Sequence, residues 1–371
     1  MTQESPVQQS SPRPVRVGLV GLGEVAQVTH IPVLAHLEDR FTITAIADVS
    51  PGLVAAIGDR LHLPTDARHT DAGELVGRDD VDLVFVLTSD EYHADQAVAA
   101  LEAGKHVLIE KPVALTIPDV ERIIAARDAS GRHAIVGYMR RFADAFTLMK
   151  DRLPELGPIR YARVRDIIGQ NRQFIEQVEQ VLRFDDLTDD QKRDRGERAR
   201  TQVATALGET PTDLVRAYRL LCGLGSHDLS AMRELIGVPN HVVGADAWLN
   251  GEYVAAIFAV DDYRVTFEMG GDRQVRFDAH IAVYGETGTM TVEYDTPYIR
   301  HLPTTLTVER TEGTAYHREQ ILPGYTDPYT RELVHVHDVL HGSAVPKTTL
   351  EDSLHDLRLF RQIIDRIRAN G

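Results

Sequence analysis

The stretch VRVGLVGLGEVA, residues 15–26, decides the fold. Val15–Val20 is apolar and β-branched, and reads as a strand. Gly21-Leu22-Gly23-Glu24-Val25-Ala26 follows as a G-x-G-x-x-A turn that opens a helix. Glycines in such a turn allow a tight bend and let a pyrophosphate approach backbone N–H groups at a helix N-terminus. The pattern alone is weak, but the strand–turn–helix setting makes it informative. FTITAIADV (41–49) supplies the next strand. Asp48 stands at its end, where a carboxylate accepts both ribose hydroxyls of a dinucleotide. No arginine follows in Asp48-Val49-Ser50-Pro51, so a 2′-phosphate would meet negative charge and no counterion. Gly21, Gly23, Glu24, Val25, Ala26 and Asp48 are therefore candidate cofactor residues, and NAD is favoured over NADP.

Moving outward, VDLVFVLT (81–88), HVLIE (106–110) and HAIVGY (133–138) read as further strands. Helical segments lie between them, HADQAVAALEAG (93–104) and TIPDVERIIAARDASG (116–131), the second with a Thr cap, an early Pro and a closing Gly. This alternation predicts a parallel sheet with helices on both faces over 15–138, an α/β Rossmann domain. From 139 to 371 the pattern changes. IRYARVRDII (159–168) leads into a charged helical insertion at about 170–222, then several strand-like runs follow with no helices between them. That succession predicts an α+β domain with an open, mostly antiparallel sheet. Within the insertion, Phe174, Val178, Val181 and Leu182 fall on one helical stripe. Thr188 with Gln191 has capping-box spacing, and Thr210-Pro211-Thr212-Asp213 is another helix start. The run DDQKRDRGERAR reads as a solvated face, with a lid or a subunit contact as the sharper alternatives.

Composition narrows the function classes. A chain of 371 residues is long enough for two domains. A net charge of −16 argues against a nucleic-acid backbone as partner. A single cysteine, Cys222, allows no internal disulfide and fits a reducing cytoplasm. No apolar run is long enough for a membrane span. Residues 1–14, MTQESPVQQSSPRP, read as a disordered tail rather than a signal. Lysine is scarce beside arginine, at positions 105, 111, 150, 192 and 347 only. A lysine inside a motif therefore carries weight, since lysine can release its proton and arginine cannot.

Two segments after parallel strands carry the chemistry, Thr88–His93 and Gly104–Pro112. Pro112 biases Lys111 toward an extended backbone. A partly desolvated lysine beside a nicotinamide can hydrogen-bond a substrate hydroxyl and stabilise a developing alkoxide. Here the chain resembles the glucose–fructose oxidoreductase / inositol dehydrogenase / rhizopine catabolism (Gfo/Idh/MocA) family. The resemblance rests on GLVGLGEVA, Asp48, the run from Asp82 to His93 and ALEAGKHVLIEKP. Echoes follow in GYMRRF (137–142), GSHDLSAMRELIG (225–237), YGETGTM (284–290) and ELVHVHDVLHG. It implies NAD(P) on a Rossmann domain, with Lys111 at the reacting hydroxyl and Thr88, His93 and Glu110 along the nicotinamide-ribose side. It further implies a substrate wall at Arg140, with Asp166 and Asp228 as additional candidates. It also implies a homodimer or homotetramer through the second sheet.

In the sugar and cyclitol dehydrogenases of that family a histidine at position 227 acts as general base or its partner. Aspartates usually stand four residues before it and three after; here those positions hold Gly223 and Ser230. Helical geometry places His227 opposite Leu229, Met232 and Ile236, unlike a core histidine. A place in the first turn of a helix would disfavour its imidazolium. His337 and His341 are spaced i, i+4, but without a third ligand they give no metal site. The expected function is oxidation of a secondary alcohol of a sugar, glycoside or cyclitol, with Lys111 and His227 catalytic and NAD as acceptor. Alternatives are glycoside cleavage or epimerisation with transient redox, and a non-catalytic NAD-binding sensor. The missing acid before His227 favours the sensor, and the intact Glu110-Lys111-Pro112 speaks against it.

Overall fold

The computed structural model describes residues 13–370, so the tail expected over 1–14 lies outside the described residues as far as position 12. The first half alternates as the sequence pattern requires. The elements are β1 (Val15–Val20), α1 (Ile31–His36), β2 (Phe41–Ala47), α2 (Pro51–Arg60) and β3 (Arg68–His69). They continue through α3 (Ala72–Val76), β4 (Leu83–Val86), α4 (His93–Glu102), β5 (His106–Glu110), α5 (Ile117–Ser130) and β6 (Ala134–Gly137). The strands lie in the order β3-β2-β1-β4-β5-β6, all parallel. That is the doubly wound dinucleotide-binding arrangement, whose switch point lies between β1 and β4. β4 and β6 are buried along their whole length, as strands covered on both faces must be. The Thr116 hydroxyl caps α5 by accepting from the Asp119 N–H, and Gly131 closes it at φ 64°.

The second half begins with α6 (Asp144–Arg152) and β7 (Ile159–Ile168), then α7 (Asn171–Ile175), α8 (Asp189–Leu207), α9 (Thr212–Leu220) and α10 (Ser226–Ile236). Seven strands follow: β8 (His241–Trp248), β9 (Tyr253–Val260), β10 (Tyr263–Gly271), β11 (Phe277–Gly285), β12 (Gly288–Tyr294), β13 (Thr305–Glu312) and β14 (Ala315–Ile321). Two helices close the chain, α11 (Pro328–Leu340) and α12 (Leu350–Asn370). The sheet order is β14-β13-β12-β11-β7-β10-β9-β8, antiparallel at every pairing except β7 with β10. One apolar core runs from Val107 and Ile109 through Met149 and Val164 to Phe360 and Ile364, so the two sheets share packing. No helix among the described residues is long and apolar enough to cross a membrane.

The insertion departs from its expected pattern. The stripe at 174–182 predicts a helix, but α7 ends at Ile175 and Val178 is exposed. Phe174 and Ile175 are buried, and Leu182 is half-buried against the core of the first domain. The chain instead runs extended to Leu182, whose N–H donates to Gln27 Oε1 at 2.9 Å while Gln27 Nε2 donates back to its carbonyl at 3.0 Å. The capping box at Thr188 and Gln191 forms and starts α8. The charged run is not simply a solvated face. Arg195 donates to Glu91 at 3.0 Å, Arg198 to Asp95 at 2.8 Å, and Tyr92 to Asp194 at 2.7 Å, so one stripe of α8 lies on the first domain.

Candidate functional site

At the carboxyl ends of the parallel strands lies a cleft of about 840 Å³. Gly23, Asp48, Ser50 and Thr88 line it from the strand-to-helix loops, and Phe184 and Arg195 from the insertion. The two glycines of the turn do different work. Gly21 has φ 97°, and a Cβ there would come within 2.7 Å of the Leu87 carbonyl carbon and the Thr88 nitrogen. A Cβ on Gly23 would meet nothing within 4 Å, because it would project into the space a pyrophosphate needs. Glu24 and Val25 line the cleft, whereas Ala26 is buried.

Asp48 accepts from the Leu22 N–H at 2.7 Å and the Ser50 N–H at 2.9 Å, which fixes its carboxylate at the rim. Burial pushes its pKa up, while these two N–H donors pull the other way. A backbone cradle at a helix start and a fixed carboxylate at the end of β2 suit a dinucleotide.

Thr88 lines the same cleft, its hydroxyl donating to Gln96 Oε1 at 2.6 Å. His93 is buried, with Nδ1 2.7 Å from the Pro112 carbonyl and Nε2 3.0 Å from that of Thr88. Both ring nitrogens are thus engaged by backbone, and the ring ties the two loops together. Burial lowers its pKa, against the pull of the two carbonyls, which favour the protonated ring. Glu110 sits 2.8 Å from His30 Nε2 and accepts from the Lys111 N–H at 3.1 Å. Burial alone would raise its pKa, but hydrogen bonding and charge from His30, with Lys111 beside it, bring it below the usual value.

Lys111 reaches the other half of the molecule. Its Nζ donates to the Gly223 carbonyl at 2.7 Å, across the junction between the two sheets. Burial lowers its pKa, the direction that makes a lysine able to exchange a proton. Gly223 lies in a π-helical turn, Leu221–Gly225, that joins α9 to α10 without a break. π turns of this kind often mark functional positions. The continuity corrects one expectation. His227 is not at a free helix end, so a helix N-terminus does not set its charge. Its pKa falls well below the ordinary value because it is buried and lies near the Lys111 and Arg140 charges. No acid has taken the place of the usual aspartate: His227 Nδ1 has no hydrogen-bond partner among the described residues.

Arg140, Asp166 and Asp228 come together beside this histidine. Arg140 Nη1 donates to Asp166 at 3.0 Å and also to Asp228. Its guanidinium lies between the rings of Tyr294 and Phe277, 5.2 and 5.5 Å from their centroids. Burial and the neighbouring Asp166 push the Asp228 carboxyl well above its usual range, against the pull of Arg140. Asp166 and Asp228 have 0% exposure and Arg140 2%, so the three bind one another and show solvent almost nothing.

Sequence reasoning missed His30 and Gln27, and it held a lid only as the alternative to a solvated face for the insertion, part of which lines the cleft. His30 had a signal, since it lies on the helix that the glycine turn opens, but its partner Glu110 is 80 positions away. His337 and His341 stack with centroids 4.1 Å apart, and the His341 ring bonds the His337 carbonyl. Among the described residues no group of three or more His, Cys, Asp or Glu is placed to hold a metal ion.

Comparison with known proteins agrees with this geometry. Residues 15–138 match the oxidoreductase family with an NAD-binding Rossmann fold, Gfo/Idh/MocA. An inositol 2-dehydrogenase of Salmonella paratyphi B is 33% identical over 138 residues, 37% of this chain and 40% of that protein. An inositol 2-dehydrogenase of Acidothermus cellulolyticus is 27% identical over 292 residues, 78% of this chain and 76% of its own. Among solved structures, a 3-ketoreductase from Actinomadura kijaniata in complex with TDP-benzene and NADP aligns with a TM-score of 0.70 at 20% identity. That alignment covers 96% of this chain and 97% of that one, and at such identity it speaks to the fold. The dinucleotide turn and the Glu-Lys-Pro segment thus agree with the match over residues 15–138, and the first domain of this chain is similar to the NAD-binding domain of the Gfo/Idh/MocA oxidoreductases.

Proposed function

We propose that this protein is an NAD-dependent dehydrogenase acting on a secondary alcohol of a cyclitol, sugar or glycoside. The observation that carries the reading is the Lys111 ammonium, which follows β5 at the carboxyl end of the parallel sheet and is held on the Gly223 carbonyl, four residues before His227. The inositol dehydrogenase relatives support the cyclitol class. NAD supplies the hydride acceptor when bound; Gly23, Glu24, Val25 and Thr88 hold it, with Asp48 at the ribose.

The chain's own groups divide the remaining work. Lys111 donates a hydrogen bond to the reacting hydroxyl oxygen and lowers the energy of the alkoxide that forms. His227, kept neutral by burial and by the nearby positive charges, accepts the hydroxyl proton. Arg140, Asp166 and Asp228 act behind these two as positioning residues, because they are buried and bound to one another. Glu110 and His93 fix the backbone on either side of Lys111. A soluble oligomer formed through the second sheet belongs to the same reading.

The test is a turnover screen of cyclitols, sugars and glycosides with NAD, followed at the NADH absorbance band. Lys111→Ala is expected to abolish turnover of the best substrate and to leave NAD affinity within a few-fold by calorimetry. Normal turnover in that variant would overturn the assignment. Oxidised product with no net NADH release would point instead to transient redox.

A further inference from the structure

The insertion crosses the open side of the cleft as a strap with three anchors. The first is the paired amide contact between Leu182 and Gln27, reinforced by Arg183 on Glu24 at 2.6 Å. The last is the set of bonds from α8 to Glu91, Tyr92 and Asp95. Between them, Phe184 packs on Gly52, where a Cβ would come within 2.5 Å of its ring. Every anchor falls on a loop or helix start that borders the cofactor cleft.

The middle anchor has a specific chemistry. Asp186 Oδ2 accepts from Ser50 Oγ at 2.9 Å and from the Gly52 N–H at 2.7 Å. Ser50 caps α2, so Asp186 occupies the anion-attracting start of that helix. Asp48 lies two residues before Ser50 and points into the same corner. A ribose held by Asp48 would direct its 2′-oxygen toward that helix start. A phosphate on the 2′-oxygen would seek the donors there, and Asp186 already holds them. It would also meet two carboxylates, and the cations bordering this corner are already paired: Arg183 with Glu24, Arg195 with Glu91 and Lys192 with Asp185.

We propose that Asp186 of the insertion is a specificity-determining residue that excludes 2′-phosphorylated dinucleotides and so selects NAD over NADP. The inference rests on the reading of the cleft as a nicotinamide-dinucleotide site. Discrimination of this kind comes from a repulsive element built against the wrong ligand, added to the attraction Asp48 offers the right one. The strap thereby does in tertiary structure what the residues after β2 do within a single loop in other dinucleotide folds.

The experiment is calorimetric titration of NADH and NADPH into the full-length protein and three variants. These are Asp186→Ala, Asp186→Asn and, as a charge control, Glu197→Gln, an exposed acid of α8 that does not line the cleft. The parent protein is expected to bind NADH more tightly than NADPH. In Asp186→Ala the preference should shrink by about tenfold or more through stronger NADPH binding. Asp186→Asn should shift the same way, because the amide loses the charge and keeps an acceptor. Glu197→Gln should leave the ratio unchanged. An unchanged ratio in both Asp186 variants with intact NADH binding would overturn the inference and spare the cofactor site. Equal weakening of both dinucleotides would overturn it too, by showing Asp186 to be an anchor only. A parent protein that binds neither would overturn the cofactor reading itself and this inference with it.

Discussion

Substituting Gly223 by aspartate restores the acid that usually precedes the histidine, and the structure gives the size of the effect. A Cβ on Gly223 meets nothing within 4 Å, and the residue is not in the left-handed region, so the side chain enters without strain. Residue 223 stands four before His227 in a continuous helical path, which brings such side chains to roughly 5–6 Å between Cβ atoms. A carboxylate ~6 Å from the imidazole, at an effective dielectric constant of ~20, favours the imidazolium by about 2.8 kcal/mol, or about 2 pKa units. Position 223 is half-buried, so solvent screening reduces this to about 1 unit. The assay is an NMR titration of the histidine ring carbons, with His227→Gln to assign the resonance. In the parent protein His227 should remain neutral well below the ordinary histidine range, and in Gly223→Asp its titration should move upward. Stability follows the same linkage. The folded pKa lies below the unfolded one, so the parent protein loses stability as pH falls from about 6.5 toward the depressed value. That loss should become shallower in the variant. A His227 resonance that titrates within about 0.3 unit of the parent value would refute the reasoning.

Two further outcomes follow from the buried charges. Arg140→Met leaves Asp166 and Asp228 facing each other without a counter-charge and should cost about 3–5 kcal/mol by urea denaturation; a loss under about 1 kcal/mol would show that the cluster is not a buried ion network. Glu332, with 0% exposure and both carboxyl oxygens unpartnered among the described residues, has its pKa raised well above the usual value, first by burial and then by Glu110. An acid raised in the folded state weakens the fold as pH climbs above its unfolded value, by up to about 1.4 kcal/mol per pH unit until the folded pKa is reached. Glu332→Gln should therefore gain on the parent protein in denaturation midpoint between pH ~5 and ~7, and parallel curves would refute the assignment.

The first domain was legible because its signals are local. A strand, a glycine turn and a terminal acid lie within the 34 residues from Val15 to Asp48, and each depends on near neighbours. The succession of strands after residue 240 was legible for the same reason. The insertion was not. Phe174, Val178, Val181 and Leu182 form a helical stripe on paper, but a stripe needs a surface to pack on, and Leu182 is drawn instead to Gln27, 155 positions away. The charges of α8 were equally misleading, since the sequence cannot show that Glu91 and Asp95 stand opposite Arg195 and Arg198. His227 illustrates both sides. Its place off the apolar stripe pointed to a polar role, yet the cause of its lowered pKa is tertiary. The π turn that makes α9 and α10 continuous left no mark that a period of 3.6 could register.

The single parallel pairing of β7 with β10 has a consequence for how this chain came to carry its strap. Parallel neighbours cannot be joined by a tight turn; the chain must leave at one end of the strands and return to the opposite end. The stretch between Ile168 and His241, with the strap, the π turn and the helix of His227, belongs to that return path, before β8 and β9 lead into β10. A closed excursion tolerates lengthening well, since doubling its length adds only about 0.6 kcal/mol of closure entropy. The topology therefore holds a slot in which segments can be gained or lost without rewriting the register of any strand. The strap and the helix of His227 lie in this one excursion and can be altered there while both sheets stay as they are.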